Sequence, residues 1–301
     1  MTDAPAPAAS RRLLLVHAHP DDESIGTGIT MAKYVAEGAH VTLVTCTRGE
    51  EGEVLVPALA ALASSADDGL GPHREDELSA AMQALGVTDH RFLGGAGRWR
   101  DSGMMGTPQN DRPECFWRAD LLEAAAELVA VVREVRPQVL VTYDTFGGYG
   151  HPDHIQAHRV AMYASQLAAA PGFRPDLGPT WEISKVYWTT LPRSYVKLGI
   201  EALIASGNSG FFGVDNADDI PFLTPDEVVT THVEGLEHEP AKMAALRAHA
   251  SQVDEEHGFF QMAKLLGPTA MGNEFFMLVH GELGPTRDAD GRETDLFSGV
   301  G

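Results

Sequence analysis

Four consecutive apolar residues, 13–16, run directly into a short polar segment near the start of the chain. An unbroken apolar run of this kind is typical of a strand that is buried on both faces of a parallel sheet. Pro20 cannot continue the hydrogen-bond ladder of a sheet, so it ends the strand. The chain is therefore expected to begin an open α/β sheet, in which ligands bind at the carboxyl ends of the strands.

The polar segment after this strand contains His19, Asp21 and Asp22. An imidazole and two carboxylates suit Zn²⁺ or a similar divalent ion. One of the carboxylates can instead accept a proton from water. A helix cap is the alternative interpretation, because acidic side chains are favourable at a helix N-terminus. This segment alone supports both interpretations equally.

The chain continues as an alternation of helices and strands. Apolar residues at helical spacing predict the helices, and short continuous apolar runs predict the strands between them. The predicted helices cover residues 25–37, 74–85 and 121–135, and the predicted strands cover residues 41–45, 90–93 and 139–142. This order is typical of a Rossmann-like, mostly parallel, doubly wound sheet, which is the α/β fold class that we expect.

A second polar cluster follows the predicted strand 139–142. Residues 147–154 read GGYGHPDH, and a helix is predicted from there to about residue 170. His151, Asp153 and His154 are therefore expected at the start of a helix, on the same sheet edge as the first cluster. Two ligand-rich loops on one edge favour a metal site over a helix cap.

Pattern and composition divide the chain into four parts. Residues 13–170 are expected to form the Rossmann-like, metal-binding catalytic domain, with a smaller lobe of residues 171–283 packed on it. The lobe is predicted to hold strands at residues 186–190, 228–233 and 275–280 and helices at residues 194–205 and 239–250. The Ala- and Pro-rich residues 1–12 are predicted to be disordered, and the polar tail 284–301 to be loosely held.

The charge of the chain restricts its partners. With 43 acidic and 22 basic residues the net charge is −21, which argues against nucleic acids and anionic membrane surfaces. No apolar segment reaches the length of a transmembrane helix. Cys46 and Cys115 form no disulfide framework, so the cytoplasm is the expected compartment. A small-molecule substrate is expected, and no protein partner is indicated.

The two polar motifs together carry a family resemblance. AHPDDE at residues 18–23 and HPDH at residues 151–154 resemble the PIG-L/LmbE family of zinc-dependent N-deacetylases. The resemblance covers about half of the chain and is strongest to the branch that deacetylates N-acetylglucosaminyl-inositol in mycothiol biosynthesis. It rests further on residues 45–47, 49–53 and 94–104. It implies release of acetate and glucosaminyl-inositol.

The resemblance also implies a metal centre. Carried over residue by residue, it implies one Zn²⁺ per chain, with Fe²⁺ as an alternative, bound by His19, Asp22 and His154. Asp21 matches the general base. His151 matches the imidazole that stabilises the tetrahedral intermediate and protonates the leaving amine. Three protein ligands leave one position open for water, which is typical of a catalytic zinc site.

Further positions match residues around the reacting group. Tyr149 matches a residue that assists at the oxyanion, and Asp153 matches the partner that orients His151. Four positions match the lining of the sugar pocket: Arg74, Asp101, Met104 and Glu53.

Three alternative functions stay open. A sister enzyme that cleaves the amide of mycothiol S-conjugates resembles the chain around both motifs, although such enzymes tend to carry Lys where this chain has Ile25 and Gly26. A deacetylase that tailors an antibiotic sugar differs only at the pocket rim. A non-catalytic sugar-binding protein does not need Asp21 beside a complete set of metal ligands.

Three other polar side chains have structural interpretations. His17 lies within the first predicted strand and is expected to be a packed core histidine. His249 and Gln252 lie near a predicted helix end, where we expect surface positions with a capping role.

Overall fold

The computed structural model describes residues 11–207, 214–253 and 258–300. The strands are β1 (Arg12–His17), β2 (His40–Thr45), β3 (Asp89–Phe92), β4 (Val139–Thr142), β5 (Lys185–Thr190), β6 (Thr231–Glu234) and β7 (Asn273–His280). Within the described residues they form one sheet in the order β3-β2-β1-β4-β5-β7-β6. The five strands from β3 to β5 run parallel, and β7 is antiparallel to both of its neighbours.

Helices connect the strands. They are α1 (Asp22–Ala36), α2 (Leu70–Leu85), α3 (Leu121–Val135), the single turn α4 (Gly147–Gly150), α5 (Pro152–Ala169), α6 (Arg193–Ala205), α7 (Glu239–Ala248) and α8 (Gly258–Leu266). The Asp120 side chain caps α3 by accepting a hydrogen bond from the backbone N–H of Glu123 at 2.9 Å. Among the described helices, none combines the length and apolar composition that a membrane crossing requires.

The central strands are apolar on both faces because helices cover both faces. Leu14 and Val16 of β1 pack into a core with α3 and α5. Leu13 and Leu15 point to the other face, where they pack with residues of α1, α2 and α7. This alternation follows from the two-residue period of a strand and explains the continuous apolar run in the sequence. The doubly wound α/β fold predicted from the sequence is confirmed.

Successive strands are added on one side of β1 as far as β3 and on its other side from β4 onward. From β1 the chain winds outward through β2 to β3, and it then returns to place β4 on the other side of β1. The loops that follow β1 and β4 therefore lie side by side at the carboxyl edge. This topological switch point is the position at which open α/β sheets bind their ligands.

The polar tail is packed against the sheet, so the expectation that it is loosely held was wrong. Lys185 Nζ lies 2.6 Å from Glu293 Oε1, and both side chains are buried. Leu296 and Phe297 are buried in the core beside Tyr34. A buried ion pair and two apolar side chains thus hold this segment, although its composition is polar overall.

Candidate metal and catalytic site

Three loops converge at the carboxyl ends of the parallel strands. The loop after β1 carries His19 and leads into α1, and the loop after β4 leads through α4 into α5. The loop after β3 contributes Asp101, whose Oδ1 lies 3.6 Å from His19 Nε2. The predicted site residues that meet here are His19, Asp22, Asp101, His151, Asp153 and His154.

Asp22 lies between two imidazoles. Its Oδ2 is 3.4 Å from His19 Nδ1, and its Oδ1 is 3.3 Å from His154 Nε2. The backbone N–H of His19 also donates to Asp22 Oδ2 at 2.9 Å. Burial alone would raise the pKa of Asp22, but the imidazoles of His154 and His19 hold it well below its usual value. The carboxylate is therefore ionised and faces two nitrogen ligands.

His154 has one nitrogen fixed and one nitrogen without a hydrogen-bond partner. Nδ1 lies 3.1 Å from the carbonyl oxygen of Gly147, to which it donates its proton. The lone pair of Nε2 is then available, and this atom is buried without a hydrogen-bond partner among the described residues. A backbone carbonyl on one ring nitrogen and a free lone pair on the other is the arrangement typical of a metal-binding histidine.

Gly147 makes this arrangement possible. Its φ is +68°, and a Cβ at this position would lie 2.6 Å from His154 Cβ and 2.7 Å from Ile155 N. Only glycine allows the loop to pass so close to the start of α5 and present its carbonyl to the imidazole.

The donor groups around His19 outnumber the three predicted ligands. His19, His151 and His154 each offer a ligand atom within 4.8 Å of the others, as do His19, Asp101 and Asp153. Nitrogen and carboxylate oxygen ligands suit a borderline divalent cation. Together with the unpartnered Nε2 of His154, this donor set fits a metal ion.

Asp153 contacts a different imidazole from the one expected. Its Oδ2 lies 3.2 Å from His19 Nε2 and accepts a hydrogen bond from the backbone N–H of Ser102 at 2.9 Å. The link to His151 is through the backbone instead, because His151 is the N-cap of α5 and its Nδ1 accepts from Asp153 N–H at 3.1 Å. The carboxylate of Asp153 therefore orients His19 and leaves its Nδ1 facing Asp22.

His151 is neutral in this environment. Its Nδ1 is an acceptor, so the ring proton is on Nε2, which lies 4.0 Å from Asp101 Oδ1. Burial, together with the neighbouring imidazoles of His19 and His154, lowers the pKa of His151 to about 3. At neutral pH the ring thus offers an N–H donor without a positive charge.

Asp21 has a strained backbone and a separate environment from Asp22. Its φ is 108°, which is rare for a residue with a side chain. Its Oδ2 accepts a hydrogen bond from the Arg74 guanidinium at 3.0 Å. Burial raises the pKa of Asp21 to about 6, although Arg74 acts in the opposite direction. A carboxylate with a pKa near neutrality is suited to general base catalysis.

Arg74 stabilises the loop after β1 by hydrogen bonds. The guanidinium donates to the carbonyl oxygens of Pro20 and Gly49, and it is almost fully buried. A Cβ on Gly49 would lie 2.0 Å from Arg74 Nη1, so this glycine gives the guanidinium its space. Arg74 was predicted to line the sugar pocket, and the contacts that the structure gives it are with the Pro20 and Gly49 carbonyl groups and with the Asp21 carboxylate.

Comparison with known proteins identifies the family. The family model PIG-L, described as GlcNAc-PI de-N-acetylase, matches residues 14–165, which include all three loops. The chain belongs to the PIG-L family. The two motifs at residues 18–23 and 151–154 both lie within the matched segment, which confirms the family resemblance of the sequence.

Relatives in the PIG-L family are similar over nearly the whole chain. A 1D-myo-inositol 2-acetamido-2-deoxy-α-D-glucopyranoside deacetylase of Geodermatophilus obscurus is 62% identical over 97% of this chain and 98% of its own length. A protein of the same name from Streptomyces avermitilis is 59% identical over 96% and 97% of the two chains. The solved structure of an N,N'-diacetylchitobiose deacetylase from Pyrococcus horikoshii has a TM-score of 0.60 at 18% identity, covering 91% of this chain and 85% of that one. This last likeness bears on the fold alone.

The remaining predicted residues of this PIG-L family chain lie toward the surface. The Tyr149 side chain is 45% exposed, and its ring centroid is 4.9 Å from that of His154 and 6.2 Å from that of His151. Met104 is 52% exposed. Glu53 is also exposed, and its carbonyl oxygen accepts a hydrogen bond from Gln252 at 3.1 Å. Tyr149 lies in the single turn α4, and Met104 and Glu53 lie in loops.

Two residues of the site were not among the predicted site residues. Tyr143 stacks on His154 with ring centroids 4.3 Å apart, and its hydroxyl accepts from Ala18 N–H at 2.8 Å. The sequence indicated that Tyr143 belongs to the site only by its position directly after β4. Ser102 donates to Asp153 from both its N–H and its hydroxyl. His17, buried between Tyr143 and Thr27, is a packed core histidine as expected.

His249 is not at the surface, so the expected surface position was wrong, although the residue does lie at the C-cap of α7, where its backbone N–H donates to the Leu246 carbonyl. The residue is 0% exposed, and its Nε2 lies 2.8 Å from Glu23 Oε1. These partners are 226 positions apart in the chain, so no local pattern could indicate the contact.

Proposed function

We propose that the chain is a zinc-dependent N-deacetylase that hydrolyses the acetamido group of 1D-myo-inositol 2-acetamido-2-deoxy-α-D-glucopyranoside, in mycothiol biosynthesis. The relatives named for this substrate support it, since they are 55–62% identical over nearly the full chain. The observation that carries the chemistry is Asp21, a carboxylate with a pKa near neutrality, directly beside the His–Asp–His group. Buried free thiols at Cys46 and Cys115 favour a reducing cytoplasm.

His19, Asp22 and His154 are the residues that would hold the metal ion. Asp153 fixes His19 by its Nε2, and the Gly147 carbonyl fixes His154 by its Nδ1, so each imidazole has one nitrogen left for a ligand bond. When bound, Zn²⁺, or Fe²⁺ in its place, supplies Lewis acidity that polarises the amide carbonyl and lowers the pKa of water.

Asp21 would act as the general base. With a pKa of about 6 it is mainly ionised at neutral pH, so it can accept a proton from the attacking water. The Arg74 guanidinium holds the Asp21 carboxylate in place by a hydrogen bond of 3.0 Å. As the C–N bond breaks, the amine nitrogen needs one proton, and the proton that Asp21 has accepted balances the reaction.

His151 and Tyr149 would stabilise the oxyanion. A neutral His151 can donate its Nε2–H to the oxygen of the tetrahedral intermediate, and the ring of Tyr149, whose centroid is 6.2 Å from that of His151, is close enough for its phenol to assist. A typical donor of this kind stabilises the transition state by about 2.7–4 kcal/mol. The lowered pKa of His151 disfavours the role of proton donor to the amine, which we therefore assign to Asp21.

The sugar-binding residues divide into two pairs. Met104 and Glu53 are exposed, so their side chains are accessible to the hydroxyl groups of a disaccharide-sized ligand. Arg74 and Asp101 are buried, and Asp101 accepts hydrogen bonds from Gly103 N–H at 2.8 Å and Glu51 N–H at 3.1 Å. We propose that the buried pair contacts the substrate only at the reacting end.

An amine-release assay tests the proposed function. The zinc-loaded protein is given N-acetylglucosaminyl-inositol, a mycothiol S-conjugate or free N-acetylglucosamine at equal concentration. We expect the highest kcat/KM with N-acetylglucosaminyl-inositol, because hydroxyl groups missing from the monosaccharide leave polar partners in the pocket unpaired. Faster cleavage of the S-conjugate would identify an amidase instead, and equal rates with the monosaccharide would refute recognition of the second ring.

A further inference from the structure

We propose that Glu23 and His249 are positioning residues that hold Asp21 in the geometry of a general base. The inference rests on the proposed function, because it concerns the residue to which we assign the proton transfer. It extends the catalytic machinery to a residue that lies beyond the segment matched by the family model, which ends at residue 165.

The backbone of Asp21 requires external support. A φ of 108° is unfavourable for any residue with a Cβ, and such conformations persist only where the surrounding structure fixes them. The backbone N–H of Asp21 donates to Glu23 Oε2 at 2.9 Å. The Glu23 carboxylate therefore holds the peptide group whose conformation directs the Asp21 side chain.

His249 in turn fixes the Glu23 carboxylate. His249 Nε2 lies 2.8 Å from Glu23 Oε1, and Ser24 Oγ donates to the same oxygen at 2.6 Å. The side chains of Glu23 and His249 are both 0% exposed. Loss of the imidazole would leave this buried carboxylate with only the Ser24 hydroxyl and the Asp21 N–H among these donors. Losing a donor is unfavourable for a buried carboxylate, so Glu23 could then turn away from Asp21.

The segment after α7 is fastened firmly enough to place His249. Ser251 donates to Glu77 of α2 from its N–H at 2.8 Å and from its hydroxyl at 2.7 Å. The Ser251 carbonyl accepts from Leu55 N–H at 3.0 Å, and Gln252 donates to the Glu53 carbonyl. These contacts fix the position from which His249 donates its hydrogen bond to Glu23.

The geometry requires a donor at one ring nitrogen only. Nε2 contacts Glu23, whereas Nδ1 is buried without a hydrogen-bond partner among the described residues. A glutamine amide nitrogen reaches about the position of Nε2, and an asparagine amide nitrogen reaches about that of Nδ1. His249→Gln should therefore preserve the contact with Glu23, and His249→Asn should not.

The test compares steady-state kinetics of the zinc-loaded full chain and its variants with N-acetylglucosaminyl-inositol. We expect His249→Ala and His249→Asn to lower kcat about 10- to 100-fold, the usual effect of losing such a supporting contact. KM and zinc content should stay at the parent values, and His249→Gln should recover most of kcat.

Glu274→Gln is the matched control. Glu274 also links α1 to the later part of the chain: it is buried, lies 2.8 Å from Lys242 Nζ and accepts from the N–H groups of Ile29 and Thr30. We expect this variant to lower the melting temperature while leaving kcat unchanged, since Glu274 does not contact Asp21.

Four results would overturn the positioning role. They are parent-like kcat in His249→Ala, equal kcat in the Gln and Asn variants, loss of kcat in Glu274→Gln equal to that in His249→Ala, and loss of zinc that accounts for the whole loss of kcat. The Gln and Asn comparison keeps the test decisive if His249→Ala does not fold. An inactive parent would refute the proposed function together with this inference, whereas an active parent with unaffected variants refutes the inference alone.

Discussion

Replacing Gly147 by alanine is expected to destabilise the protein and weaken metal binding more than the same change at Gly148. Both glycines have positive φ, 68° and 72°. A Cβ on Gly147 would lie 2.6 Å from His154 Cβ and 2.7 Å from Ile155 N, whereas a Cβ on Gly148 meets nothing within 4 Å. Both variants would place a side chain at positive φ, with a ψ of −80° at Gly148, and only Gly147→Ala adds a clash.

The magnitudes follow from these two terms. A side chain held in a sparsely populated φ/ψ region costs about 1–3 kcal/mol, so both variants should lose free energy of unfolding of this order. At Gly147 the neighbouring atoms belong to the backbone and Cβ of α5, which cannot turn away as the end of a flexible side chain can. Overpacking of this kind costs about 1–3 kcal/mol more. Displacing the carbonyl that fixes His154 should also weaken zinc binding about 10- to 100-fold.

Chemical denaturation of the two variants measures the first effect, and zinc titration against a competing chelator measures the second. Gly147→Ala should be less stable than Gly148→Ala, because only this variant adds overpacking to the backbone strain, and it should bind zinc more weakly. Equal stability and equal zinc affinity in the two variants would show that the Gly147 carbonyl does not place His154.

Three further predictions concern the ligands, the base and the tail. His154→Ala should hold clearly less zinc than the parent in metal analysis after chelation and reloading, and equal zinc content would remove His154 from the ligand set. Asp21→Asn should keep its zinc and lose about 10²–10⁴-fold in kcat. Because the base must be ionised, kcat/KM of the parent should rise as the pH increases through about 6, the pKa of Asp21, and a flat profile there would contradict the assignment. Glu293→Gln should lower the free energy of unfolding by about 3–5 kcal/mol in denaturant titrations, since it leaves the Lys185 ammonium buried without its carboxylate; parent-like stability would show that this pair does not anchor the tail.

The parallel half of the sheet was predictable because its signals are local. The apolar run 13–16 lies within β1, and α3 covers the predicted residues 121–135. Helix α1 begins at Asp22 rather than at residue 25, since Asp22 and Glu23 are themselves in its first turn, where acidic side chains are favourable. Both motifs lie at strand ends, so sheet topology alone brings them together.

The contacts that the sequence did not indicate all join distant segments. His249 and Glu23 come from opposite halves of the chain, and Lys185 finds its carboxylate in the tail. Tail residues with a polar composition give no sign that one of them will be buried as half of an ion pair. The Asp153 carboxylate contacts the ring of His19 and not the ring of His151. This depends on how the two rings are oriented, which a sequence motif does not encode.

The strained turn at Asp21 explains how two adjacent carboxylates can have different tasks. The other described residues with positive φ and a side chain are Asp68, Arg136 and Arg174, and their φ values of 38–55° are much smaller than the 108° of Asp21. This unusual turn directs Asp22 between the imidazoles of His19 and His154 and directs Asp21 toward Arg74. The pKa of Asp22 is lowered and that of Asp21 is raised, so one site contains an ionised carboxylate, which we propose as a metal ligand, and a second carboxylate, which we propose as the base. In the proposed mechanism the strain is thus part of the chemistry, and the contacts that stabilise the turn contribute to catalysis together with the proposed metal ligands.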